Sequence, residues 1–188
     1  MDTSDIRKGL KMMLDGSPDP WVVVDFQFVK PGKGQAFTRV KVRNMASGSV
    51  IERTFKSGEK LEPADVEERQ LQYIYPDGND FVFMDEASGE QIHVSGDKIG
   101  DDARWMSDGM KIDVTLFKGV AIGVSLPSHV VLQITVCEPG VKGDTASGAT
   151  KPATLSTGAT VNVPLFVKEG EWIKVDTAEG KYIERVNR

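Results

Sequence analysis

The sequence predicts an all-β protein built from three small β-barrels, and three observations support this fold class. Polar and apolar residues alternate in TRVKVRN, KIDVTLF and TVNVPLFV, a pattern typical of antiparallel strands with one solvent-facing side. Turn-forming clusters such as KPGKG, YPDGND and EPGVKGD separate the strands at short intervals. Helical periodicity is confined to DIRKGLKMML and ADVEERQLQ, which are too short to form independently stable helices. Short strands with this density of turns favour barrels.

Changes in charge and turn content divide the chain into three predicted domains, residues 1–65, 66–128 and 129–188. The stretch KLEPADVEE marks a change in the sign of the charge, and SLPSHV precedes a new strand. The domains contain eleven Lys and Arg against nine Asp and Glu, five against twelve, and seven against seven, so their net charges are +2, -7 and 0. Cores this small are marginal, and closed barrels remove the strand edges that an open sheet would expose.

In the first domain, WVVVDFQFV and AFTRVKVRN are predicted strands, and KPGKGQ is the hairpin tip that joins them. Pro31 fixes its own φ, and Gly32 and Gly34 accept positive φ, so the turn needs no strain. Lys33 is the one long side chain at the apex of this tip, between Gly32 and Gly34. A nucleotide-binding P-loop does not fit, because Gly32-Lys33-Gly34 leads into a strand rather than a helix.

A basic stripe is predicted on the second strand of this hairpin. The stretch from Val29 to Asn44 has five cations and no acid, although the whole chain has a net charge of -5. The two-residue period of a strand places Arg39, Lys41 and Arg43 on one face. Such a stripe suits a phosphate backbone, and ordinary solvation of a strand face is the alternative interpretation.

Several separated blocks resemble the bacterial elongation factor P family along the whole chain. They are VKPGKGQAFTRVKVRN, RTFKSGEK, YIYPDGNDFVFMD, the long block from PGVKGDTASG to WIKVDT, and the terminal YIERV. The resemblance implies a KOW-type, SH3-like barrel followed by two OB-folds in an L-shaped arrangement similar in size to transfer RNA. It also implies a translation factor that binds the ribosome between the peptidyl and exit sites, contacts peptidyl-tRNA and relieves stalling at consecutive prolines.

The same resemblance implies roles for individual residues. Lys33 matches the tip lysine that a modifying enzyme extends, often with a β-lysyl group. Gly143, Asp144 and Thr145 match a family loop that approaches messenger RNA in the exit site, and a flexible connection is the alternative interpretation of this stretch. The residues expected to contact transfer RNA and ribosomal RNA are Lys30, Pro31, Gly32, Lys33, Gly34, Arg39, Lys41 and Arg43.

Catalytic, cofactor and metal motifs are not found in the sequence. His93 and His129 have no Cys or His neighbours at metal-ligand spacing. The acidic clusters DVEE, DGND and GDDA have no plausible nucleophile beside them, so solvated faces are expected. Cys137 lies in an apolar run and is expected to be a buried thiol. We therefore expect a protein that is not an enzyme and needs neither cofactor nor metal.

A cytoplasmic monomer with ribosomal partners and no membrane association is expected. The first sixteen residues lack the apolar core of a secretory signal, and no run of about 18 apolar residues occurs. A generic OB-fold module for single-stranded RNA is one alternative, although aromatic residues make up only 7% of the chain and are scattered. A factor P-like paralogue and a hydrolase with an unrecognised site are the others; the PGKGQAF tip weighs against the paralogue.

Overall fold

The computed structural model describes residues 1–140 and 148–188, and strands dominate it. Two compact units are formed, one by residues 1–69 with 114–124 and the other by residues 70–113 with 125–188. Within the described residues, no helix has the length and apolar character needed to cross a membrane. The prediction of an all-β fold is confirmed.

The first sheet is antiparallel and follows the predicted alternation of side chains. Its strands are β1 (Lys11–Met13), β2 (Pro20–Val29), β3 (Phe37–Asn44), β4 (Val50–Lys56) and β5 (Glu62–Pro63), in the order β4-β3-β2-β1-β5. Val40 and Val42 of β3 are fully buried, and they pack with Met12 and Val23 in the core of this sheet. The polar residues between them therefore point to solvent.

The second sheet has two short helical segments between its third and fourth strands. Its strands are β6 (Val66–Asp77), β7 (Asp80–Met84), β8 (Gln91–Ser95), β9 (Lys111–Phe117) and β10 (Val120–Ser125), in the order β10-β9-β6-β7-β8. The helix α1 (Gly96–Ile99) is followed by a 3-10 helix, Gly100–Trp105. The Ser95 side chain caps α1 by accepting a hydrogen bond from the amide of Asp97. Sequence periodicity did not predict these turns, because one capped turn is too short to show a repeat.

The third sheet repeats the strand order of the second. Its strands are β11 (His129–Cys137), β12 (Thr150–Leu155), β13 (Thr160–Pro164), β14 (Trp172–Asp176) and β15 (Lys181–Val186), in the order β13-β12-β11-β14-β15. In both sheets the strand that comes first along the chain, β6 or β11, is central. The next two strands along the chain lie on one side of it, and the last two lie on the other side. Ile173 and Val175 of β14 are fully buried in the core of the third sheet.

Trp105, from the 3-10 helix before β9, belongs to the hydrophobic cluster of the third sheet. Its exposed fraction is 1%, and it packs in the same cluster as Ile173 and Val175. Arg104 lies over its ring, with 4.6 Å between the guanidinium carbon and the ring centroid. At Gly180, in the turn between β14 and β15, a Cβ would lie 3.3 Å from the Trp105 ring. The glycine therefore leaves room for the indole.

Candidate nucleic-acid interface

The hairpin of β2 and β3 carries the predicted lysine tip. The last paired residues are Val29 and Phe37, so residues 30–36 form the connection. Gly34 has a φ of +105°, a conformation that L-residues rarely adopt, whereas Gly32 has no positive φ and has open space where a Cβ would point. Of the two tip glycines, only Gly34 therefore uses the conformational freedom that was predicted for both.

Lys33 is exposed to solvent at the end of this hairpin. Lys33 and Lys30 are both exposed, and Pro31 is half-buried. Neither lysine ammonium forms an ion pair with any residue in the two described ranges. Both charges are therefore available to a partner at the tip.

The basic stripe predicted on β3 lies on one face. Arg39, Lys41 and Arg43 are exposed and alternate with the buried Val40 and Val42. Because successive strand residues point to opposite sides, the three cations follow one another from the tip towards the base of the hairpin.

Neighbouring strands place two acids beside this stripe, which the acid-free run of the sequence did not suggest. Lys41 pairs in register with Glu52 of β4 on one side and with Asp25 of β2 on the other. Glu52 Oε1 lies 3.1 Å from Arg39 Nε, and Asp25 Oδ1 lies 3.6 Å from Lys8 Nζ. Arg43 pairs with Val22 and Val50 instead. The stripe is thus partly neutralised at Arg39 and Lys41, whereas Arg43, at its base, has no acid opposite it in the strand register.

Two exposed aromatic side chains, Phe26 and Phe28 of β2, also lie on this hairpin. Their exposed fractions are 41% and 59%, and together with Ile6 and Thr38 they line a cavity of about 480 Å³. Sequence reasoning missed them because the whole chain has few, scattered aromatics. The signal that could have found them is the alternation Asp25-Phe26-Gln27-Phe28, which continues the strand beyond its buried part.

Among the described residues, the others singled out from the sequence do not gather into a second site. Gly143, Asp144 and Thr145 lie outside the described residues. His93 is exposed, with its Nδ1 4.0 Å from Asp77 Oδ2, and Cys137 is a buried free thiol. Within the described ranges, no group of three or more His, Cys, Asp or Glu side chains could hold a metal ion.

Three family models match the chain in succession. The KOW-like domain of elongation factor P matches residues 2–61, its OB domain matches residues 66–124, and its C-terminal domain matches residues 130–185. The chain belongs to the elongation factor P family. The family's KOW-like domain thus covers the lysine-tipped hairpin and the basic stripe.

Bacterial relatives match this elongation factor P family member over nearly its whole length. The elongation factor P of Coprothermobacter proteolyticus is 48% identical over 186 residues, which cover 99% of each chain. That of Desulforapulum autotrophicum is 50% identical over 186 residues, which cover 99% of this chain and 98% of the relative.

Solved structures share the fold at lower identity. Translation initiation factor 5A from Methanococcus jannaschii matches with a TM-score of 0.54 and 21% identity, covering 67% of this chain and 93% of that one. A protein of the same family from Naegleria fowleri matches with a TM-score of 0.52 and 16% identity, covering 67% of this chain and 96% of that one. These matches and the family models confirm the predicted KOW and OB architecture.

Proposed function

We propose that this elongation factor P family member acts in the cytoplasm as a translation elongation factor that relieves ribosomes stalled at consecutive prolines. It binds between the peptidyl and exit sites, contacts peptidyl-tRNA and stimulates peptide-bond formation. The observation that carries the proposal is the position of Lys33, an unpaired and exposed cation at the end of a hairpin whose exposed face is basic. The names of the bacterial relatives support the same role.

The proposed mechanism is positioning rather than chemistry by a protein side chain. Proline reacts poorly in peptide transfer because its ring restricts the geometry of the reacting ends. Holding two reactants in a near-attack arrangement can lower a barrier by on the order of 7 kcal/mol without any catalytic group. Lys33 supplies a cationic arm that orders the acceptor end of the transfer RNA. The protein is then not an enzyme, and purified protein should turn over no ester, nucleotide or phosphoester.

The partners follow from the same assignment. Lys30, Arg39, Lys41 and Arg43 contact phosphates of transfer RNA and ribosomal RNA, with Pro31, Gly32 and Gly34 shaping the tip that carries Lys33. The loop with Gly143, Asp144 and Thr145 contacts the messenger RNA codon in the exit site. A lysine-modifying enzyme extends Lys33. The proposed domains are residues 1–65, 66–128 and 129–188. The protein is proposed to act as a monomer.

Lys33→Ala and Lys33→Arg test the function directly. The Lys33 side chain buries almost nothing, so either substitution should change the free energy of unfolding by less than about 0.5 kcal/mol. In a reconstituted translation system whose message encodes three consecutive prolines, modified wild-type protein should relieve the stall and both variants should fail. Arginine keeps the charge but lacks the ammonium that a modifying enzyme would acylate, so its failure shows that charge alone is insufficient.

Lys98→Ala is the matched control, because it removes one lysine outside the hairpin and should relieve the stall as well as wild type does. Ribosome occupancy is measured in parallel so that loss of binding is not mistaken for loss of rescue. Full rescue by Lys33→Ala at equal occupancy would refute the proposed role of the tip. A generic module for single-stranded RNA would give this result, because its binding would not depend on Lys33.

A further inference from the structure

Two cation–π pairs of arginine and aromatic side chains border one cleft on the third sheet. The guanidinium carbon of Arg188 lies 4.6 Å from the centroid of the Trp172 ring, and that of Arg185 lies 4.9 Å from the centroid of the Phe166 ring. All four side chains line the same cleft, whose volume is about 570 Å³. We propose that this cleft binds an unpaired RNA nucleotide, as an RNA contact separate from the lysine tip and from the loop with Gly143, Asp144 and Thr145.

The stacks are open to a ligand, unlike the Arg104–Trp105 pair. Trp105 is buried in a hydrophobic cluster, so that pair stabilises the fold. Phe166 is 57% exposed, Arg188 is exposed, and the Arg185 side chain is 51% exposed. Each guanidinium lies over a ring and is also exposed, so a ligand can approach it from the solvent side. Unpaired bases stack on such guanidinium planes and on aromatic rings.

The charge and size of the cleft also suit a nucleotide. Two arginines and one acid, Glu171, line the cleft. Glu171 Oε1 lies 3.5 Å from Arg185 Nη1, and this ion pair helps to hold the guanidinium over Phe166. The net charge of these side chains is positive, which suits a phosphate. A volume of about 570 Å³ lies within the range of small-molecule sites. Side chains that are already ordered lose less entropy on binding than free ones.

A second cavity adjoins this cleft at Trp172. It has a volume of about 800 Å³, shares Trp172 and Arg188 with the cleft, and is also lined by Lys111 and His129. Asp108 lines it as well, so its charge is mixed. Because Trp172 and Arg188 line both spaces, the two spaces are adjacent, and neighbouring nucleotides of one strand can fill them.

The test uses the full chain and an unstructured single-stranded RNA hexamer. Trp21 and Trp105 have exposed fractions of 7% and 1%, whereas Trp172 is half-buried, so quenching of tryptophan fluorescence on binding reports mainly on Trp172. We expect saturable quenching in wild-type protein. Arg185→Gln with Arg188→Gln should weaken hexamer binding, measured by the anisotropy of a labelled hexamer, about tenfold.

Two controls separate stacking from charge and from misfolding. Lys118→Gln with Lys181→Gln removes two exposed lysines that do not line the cleft and should leave hexamer affinity unchanged. Trp172→Phe should keep the affinity within about threefold and lose the quenching, because a phenyl ring still stacks. Absence of saturable quenching in wild-type protein would overturn the proposal. So would a hexamer affinity of the double arginine variant equal to that of wild type, or displacement of the labelled hexamer by polyphosphate as effective as displacement by unlabelled hexamer.

A ribosome-binding arm identifies the source of the nucleotide. Weaker binding of the double arginine variant to vacant ribosomes assigns the nucleotide to ribosomal RNA, and weaker binding only to programmed ribosomes assigns it to messenger or transfer RNA. Unchanged hexamer binding together with weaker ribosome binding would overturn the proposal in favour of a protein contact. This inference rests on the proposed role in translation for the identity of its partner. Lys33→Ala should nevertheless keep wild-type hexamer binding. Loss of stall relief through the tip can therefore be distinguished from loss of RNA binding in the cleft.

Discussion

Arg39 and Glu52 form an ion pair across β3 and β4, with 3.1 Å between the arginine Nε and the carboxylate Oε1. Lys41 lies directly opposite Glu52 in the register of the two strands, so one carboxylate faces two of the three cations of the basic stripe. The arginine and glutamate side chains are about half exposed, at 49% and 55%. Glu52 therefore weakens the positive field of the stripe more than it stabilises the fold.

Glu52→Gln should strengthen ribosome binding and make it more dependent on salt, because Arg39 and Lys41 then face a neutral side chain. The free energy of unfolding should change by at most about 1 kcal/mol, as for other exposed pairs. Binding is measured by co-sedimentation at several salt concentrations. Glu179→Gln is the control, since it removes the same charge and breaks the 2.9 Å ion pair with Lys181 in the third sheet. Equal effects of the two variants would show that only net charge matters.

Reversing the charges of the basic stripe should weaken ribosome binding, the opposite of the effect expected for Glu52→Gln. Arg39→Glu, Lys41→Glu and Arg43→Glu together should weaken ribosome binding and flatten its dependence on salt, since fewer counterions are released. The control reverses three exposed lysines elsewhere, Lys118, Lys168 and Lys181. Unchanged co-sedimentation of the folded stripe variant would rule out this face as the binding surface.

The two tip glycines should respond differently to alanine. Gly34→Ala places a side chain at a φ of +105°, which L-residues rarely adopt, so the exposed tip should relax into another conformation. Relief of the proline stall should therefore decrease, while the melting temperature changes little because the tip is exposed. Gly32→Ala has open space and no positive φ, so it should retain wild-type relief. Equal activities of the two variants would contradict a requirement for the tip conformation.

Gly96→Ala should destabilise the second sheet. An added Cβ would lie 2.6 Å from the carbonyl oxygen of Asn79, a backbone atom that also accepts the Gly96 amide at 2.8 Å. Overpacking of this kind costs about 1 to 3 kcal/mol, which thermal or urea unfolding can detect. Gly123→Ala is the control, because no atom lies within 4 Å of its added Cβ. A melting temperature for Gly96→Ala equal to that of the control would show that the turn at Asn79 shifts without cost.

Local sequence pattern by itself determined the strand class, the inward and outward faces of β3 and the exposed lysine tip. Alternation has a period of two, and the backbone of a strand converts it directly into two faces, so Val40 and Val42 are buried while Arg39, Lys41 and Arg43 are exposed. The tip could be predicted because proline and glycine act through their own backbone angles. None of these features depends on a distant part of the chain.

Only the tertiary structure decided which side chains meet across strands and segments. Glu52 faces Arg39 and Lys41 because of the register of β3 and β4, and a shift of one residue would have turned it to the other side. Trp105 enters the core of the third sheet from a segment that precedes β9, and the stacks on Trp172 and Phe166 depend on where β15 ends relative to β14. Such contacts join residues far apart in sequence. Their geometry is set by the packing of whole sheets, and no local period encodes it.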